Sequence, residues 1–210
     1  MSEHYNLEFA DYPRLNHYGF PPILPVHELD YPDRWIEFDY AHRNRNRANT
    51  GIHFYERDYK FSRVWEQPNK YIPLLQSYKC VLSPDFSMYA DYPKAIQIHN
   101  LYMNCWCARF WQDKGITVIP SVMWVDKDSY DWCFEGMPHN SIVSVSTVGN
   151  MQNQQDRDYW MSGYNEMLNR LNPSEILVFS RDFKWDLEGN VHWIKWTLRK
   201  GEQLDNGEDE

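Results

Sequence analysis

From Lys79 onward, short apolar runs alternate with longer segments whose apolar residues recur at helical spacing. The runs 80–83, 116–124, 141–148, 175–180 and 191–200 are rich in valine, isoleucine and aromatic residues and are bounded by turn formers, so each predicts a β-strand. Residues 93–114 predict a helix, with Pro93 in its first turn and Gly115 as its stop. Its apolar set (Ile96, Leu101, Met103, Phe110, Trp111) is ample but not cleanly periodic. Residues 126–136 predict a short helix, with Asp126 or Asp128 as cap. Residues 153–173 carry the clearest amphipathic stripe, from Tyr159, Trp160 and Gly163 to Met167, Leu168 and Leu171, ended by Asn172-Pro173.

Strand, helix, strand, helix in this order calls for an α/β fold. Its sheet is mainly parallel with crossover helices, and an open sheet and an incomplete barrel both fit. Antiparallel pairing of 116–124 with 141–148 would defeat this topology. Residues 1–60 read differently. Prolines are too frequent there for helix or central strand, which predicts an irregular Pro-rich N-terminal arm with one candidate edge strand at 35–40. The expected organisation is an arm over 1–60, an α/β domain over 61–200 and an acidic disordered tail over 201–210.

The net charge of -9 is partly a property of that tail, which holds Glu202, Asp205, Glu208, Asp209 and Glu210 with no lysine or arginine beyond Lys200. The mildly acidic remainder argues against non-specific binding of duplex nucleic acid. No secretion signal or apolar run of membrane length is present, so the reading is a cytoplasmic protein of a bacterial host with no membrane contact. The C-x-C pair Cys105 and Cys107 lacks zinc spacing, and the cysteines read as free, buried thiols; no metal site is predicted from them. The aromatic fraction of 17% fills a core and leaves a surplus of rings for bases, sugars or a protein partner.

The candidate chemistry lies where the apolar runs stop. Parallel strands deliver their carboxyl ends to one edge, and ligands of α/β proteins meet the loops there. Those loops hold Ser83, Asp85 and Ser87, then Trp124 and Asp126, then Thr147 and Asn150, then Arg181 and Asp182. The carboxylates Asp85, Asp126 and Asp182 are the catalytic candidates, and the other residues are ligand-binding candidates. Mg²⁺ on Asp85 and Asp126 is the cofactor such a cluster suggests. The competing reading makes each a helix cap. Arg43, Arg45 and Arg47 alternate with asparagines in a separate loop and are candidate contacts for a phosphate or acidic partner. Dinucleotide, P-loop and serine-hydrolase motifs are absent.

Ser83-Pro84-Asp85-Phe86-Ser87, Gln97 with Asn100, Trp111-Gln112 with Gly115, Ile119-Pro120 with Trp124, Phe134-Glu135-Gly136 and Ser146-Thr147 with Gly149 together resemble a bacterial and phage family known as domain of unknown function 4417. The resemblance spans 61–180 and adds Gln112 to the ligand-binding candidates. It implies a phage or mobile-element role and carries no established activity. Two functions follow as expectations. One is a protein that binds a host or viral macromolecule, protein or nucleic acid, in counter-defence or replication. The alternative is a Mg-dependent enzyme acting on a nucleotide, nucleic acid or sugar-phosphate at the strand ends.

Overall fold

The computed structural model describes residues 5–148, 153–181 and 185–195. Four parallel strands, β1 (Arg34–Glu37), β2 (Thr50–His53), β3 (Cys80–Leu82) and β4 (Val118–Ile119), form one sheet. Three more, β5 (Ile142–Ser146), β6 (Glu175–Ser180) and β7 (Val191–Lys195), form a second. A parallel bridge between Ser121 and Ser144 joins the two. There the Val122 N–H donates to the Ser144 carbonyl and the Ser144 N–H to the Pro120 carbonyl, both at 2.8 Å. Spatial order follows chain order throughout. Between the strands lie the short helices α1 (Arg63–Glu66) and α2 (Ile72–Gln76) and the long helices α3 (Lys94–Gln112) and α4 (Gln154–Leu171).

When neighbouring strands follow one another in the chain, right-handed crossovers put every helix on the same face of the sheet. The other face is then free to curl on itself. Residues alternate between these environments. Val81, Val118, Val143, Val145, Ile176 and Val178 pack in the helix-side core. Cys80, Leu82, Ile119, Ile142, Leu177 and Phe179 form a second, smaller core on the concave face. Trp35 of β1 lies 5.4 Å from Phe179 of β6, and Tyr31, just before β1, stacks on His192 of β7 at 5.1 Å. The sheet therefore curls until its ends approach, but among the described residues β1 and β7 do not pair.

The amino ends of the strands are sealed. The segment around 24–33 crosses them, and its Val26 and Leu29 pack on the concave core. Gln112 holds the Leu24 backbone from both sides, at 2.8 and 2.9 Å. Ser141 Oγ accepts from the Val26 N–H at 2.9 Å, the Ile142 N–H donates to the Val26 carbonyl at 2.8 Å, and Lys79 pairs with Asp30.

Several expectations change. The stretch 1–60 holds β1 and β2, and both pair into the sheet, so it is not irregular throughout. The run 116–124 shortens to two strand residues and a bridge, because Pro120 has no N–H to donate. The pairing with β5 is parallel, as the topology requires. Residues 126–136 make only a 3-10 turn, Lys127–Asp131. Helix α3 lacks a clean stripe because it is covered on two sides, with Trp106 donating to the Ala10 carbonyl of the N-terminal segment. All four cysteines are free and buried. No helix among the described residues is long and apolar enough to cross a membrane.

Candidate functional site

The carboxyl ends of the strands lie at the edge opposite the sealed one. Asp85 follows β3 there. It is half-buried, and no hydrogen-bond donor among the described residues reaches its carboxylate. Loss of surrounding water, and then the negative charge of Asp58, push its carboxyl up to about 7. A carboxyl titrating near neutrality can both give and take a proton.

Below it lies a polar and aromatic floor. The buried Tyr55 hydroxyl sits 2.8 Å from Ser144 Oγ. Ser144 donates onward to the Leu177 carbonyl at 3.3 Å, which makes Tyr55 the donor of the pair. Burial, and then the Asp85 charge, raise the Tyr55 phenol far above its ordinary range, so it stays protonated. The rings of His53 and Tyr55 lie 5.2 and 5.0 Å from Phe179. At the end of β6, Ser180 is buried with no partner for its hydroxyl among the described residues.

The loops around Asp85 are braced. Asp58, in the loop after β2, accepts from Ser87 Oγ at 2.8 Å and from the Ser87 N–H at 3.1 Å. On α3, the buried amides Gln97, Asn100 and Asn104 line up at helical spacing. Gln97 donates to the Tyr89 and Tyr92 carbonyls, Asn100 to that of Ser87 and Asn104 to that of Ser121. Exposed rings stand on the same two loops: Tyr59 after β2, Tyr89 and Tyr92 after β3.

The residues singled out from sequence separate into groups. Asp85 and Ser87 stand on the loop after β3, at the carboxyl edge. Ser83 is buried and spends both its hydroxyl and its carbonyl on Ser121, which locks β3 to β4. Thr147 is buried, with its N–H and hydroxyl on the Phe179 carbonyl. Trp124 packs on α4, its ring 5.6 Å from that of Trp160. Asp126 is a cap, accepting from the Ser129 N–H at 2.9 Å. Gln112 lies at the far, sealed edge. Arg181 is half-buried at the end of β6. Asn150 and Asp182, and the acidic tail, lie outside the described residues. Among the described residues no group of three or more His, Cys, Asp or Glu could hold a metal ion.

The arginine loop precedes β2 and so lies at the amino edge, away from Asp85. Arg43 and Arg45 are exposed. Arg47 is not available in the same way, since its guanidinium donates to the Asn44 and His42 carbonyls, both at 3.1 Å. Sequence reasoning missed His53, Tyr55 and Asp58 because it missed β2. The signal was present in Thr50–His53 and the Phe54-Tyr55 that follow, an apolar run ending in charged residues like the others.

Residues 12–196 match the model of the family described as Domain of unknown function (DUF4417). The chain belongs to this family. The match reaches well beyond 61–180 and takes in β1 and β2. Among curated proteins, the Gene 1 protein of Mycobacterium phage D29 is 35% identical over 172 residues, covering 81% of this chain and 63% of its own length. The Gene 1 protein of Mycobacterium phage L5 is 34% identical over 141 residues, covering 67% of this chain and 62% of its own. The chain thus spans less than two thirds of either relative. No solved structure matches it. This is a phage-related family of unknown function, with a parallel α/β fold.

Proposed function

We propose that the carboxyl edge holds a ligand site in which Asp85 moves a proton to or from a bound nucleotide, nucleic-acid end or sugar-phosphate. The observation that carries this reading is Asp85 itself, a carboxyl held near neutrality on braced loops without a hydrogen-bond donor among the described residues. A group that served only as a cap would have used its oxygens, as Asp126 does. Tyr59, Tyr89 and Tyr92 offer faces on which a base or sugar ring can stack. Tyr55 would donate to a ligand or to Ser144 from the floor. Action in the cytoplasm of a phage-bearing bacterium is in keeping with the phage relatives.

The test is a turnover screen of the full chain with nucleotides, short oligonucleotides and sugar-phosphates. We expect Asp85→Asn to abolish turnover while the fold is retained, and the wild-type rate to change with pH around 7. An active substrate whose turnover Asp85→Asn leaves intact would sink the assignment.

A second reading is a protein that binds a host or viral macromolecule. It is favoured by exposed Arg43 and Arg45 at the opposite edge, two guanidinium groups that make no hydrogen bond or ion pair among the described residues. Pull-down from phage-bearing cells with wild type and with Arg43→Ala/Arg45→Ala decides it. Loss of a captured partner in the double variant supports that reading.

A further inference from the structure

We propose that the cavity between the N-terminal segment and α3 is a second ligand site, one that takes a planar ring joined to an anionic group, of the kind a nucleoside monophosphate presents. The cavity measures about 440 Å³, within the range of small-molecule sites. It lies on the face of α3 that carries Tyr102 and Trp106. Gln97, Asn100 and Asn104, which hold the carboxyl-edge loops, project from the opposite face of the same helix, so the two sites are separate.

Its walls are fixed before any ligand arrives. The segment is tied down along its length: Asn6 donates to the Trp65 carbonyl at 2.8 Å, Trp106 to that of Ala10 at 3.2 Å, and the Ile23 N–H to that of Gly136 at 3.0 Å. The lining rings are held as well. Tyr12 donates its hydroxyl to Asp113 at 2.8 Å and lies under the Arg109 guanidinium at 5.5 Å. Tyr18 stacks on Phe20 with centroids 5.6 Å apart. Tyr102 packs edge-on to Trp65.

The charged groups of the lining are not spent in this way. Arg14 and Asp11 make no hydrogen bond or ion pair among the described residues, and the His17 imidazole makes only a ring contact with Tyr18. Rings immobilised by other partners, beside a guanidinium that pairs with no described residue, match a ligand that stacks and carries a phosphate or carboxylate. Asp11 can accept from an amino or hydroxyl group on the same ligand.

The full chain is titrated with AMP, with adenosine and inorganic phosphate alone as comparisons, by calorimetry and by NMR signals of the tyrosine rings. We expect AMP to bind more tightly than either fragment and to shift the ring signals. Arg14→Gln, an exposed substitution, should weaken it about tenfold or more, and Tyr18→Leu should weaken it too. Asp85→Asn should leave this binding in place, which separates it from the carboxyl-edge site. No AMP binding, or binding that Arg14→Gln and Tyr18→Leu leave unchanged, overturns the site.

Discussion

The two edges of one sheet are built from the same strands and differ in how their polar groups end. At the amino edge, the crossing segment is tied down by polar pairs: Gln112 with Leu24, Ser141 with Val26, Lys79 with Asp30, and Asp33 with Asn49. At the carboxyl edge, Asp85 finds no donor and Ser180 no partner among the described residues. A fold gains stability by satisfying buried polar groups. Groups left unsatisfied on braced loops are the ones free to act on something else. The carboxyl edge is not uniform, however. Trp124, Ser83, Asp126 and Thr147 stand there too and are used structurally.

The largest expected effect breaks the structural part of the carboxyl edge. A Cβ on Gly163 of α4 would meet the Trp124 ring at 2.2 Å. Gly163→Ala should therefore cost about 2–3 kcal/mol by expelling the indole, read as a lowered denaturation midpoint. If stability is unchanged, Trp124 is not packed on α4 as described.

Asp85 should behave in the opposite way. Its folded-state carboxyl is raised to about 7 from an ordinary value near 3.8. Its contribution to stability is therefore full below the ordinary value and is lost as pH rises through about 7. Asp85→Asn, neutral throughout, should be the more stable protein at pH 8 by about 2 kcal/mol, and the gain should shrink as pH falls from 7 to 4. Glu56, also raised to about 7, chiefly by burial, adds pH dependence of the same sign, so the variant removes only part of the slope. A variant less stable than wild type at pH 8 would show Asp85 to be structural.

At the sealed edge, Gln112→Ala should cost about 1–2 kcal/mol, because it leaves the Leu24 backbone groups without their partner. It should not alter turnover at the carboxyl edge; if turnover falls with stability held, the edges are coupled. The smallest effect is expected from Arg43→Ala/Arg45→Ala. Both side chains are exposed, so thermal stability should move by less than about 0.5 kcal/mol.

Much of this architecture was legible in the chain. The strands 175–180 and 141–148, the helix 153–173 and the parallel order follow from apolar runs and stripes. Local chemistry marks those directly: a one-sided element shows a periodic pattern, and caps and stops show where it ends. Strand β2 was harder to read: its apolar run was present, but Gly51 interrupts it. Its missing side chain makes room for the Trp35 ring, which a Cβ would meet at 2.5 Å, and no neighbour in sequence announces that ring. Helix α3 was legible as a helix but not as a doubly covered one.

The position of Asp85 at a strand end was likewise readable from Val81-Leu82-Ser83-Pro84-Asp85. Whether an aspartate at a strand end is a cap or a free carboxyl was decided by tertiary structure alone. Asp126 and Asp85 follow similar runs. Ser129, three residues on, caps and is capped by the first, while the second is surrounded by groups from β2 and its loop, Tyr55 and Asp58. Sequence determines which groups are available and how far each can reach along its own chain. Burial and unpaired charge depend on what distant segments bring alongside, and for this protein that was set by the curling of the sheet and the sealing of its other end.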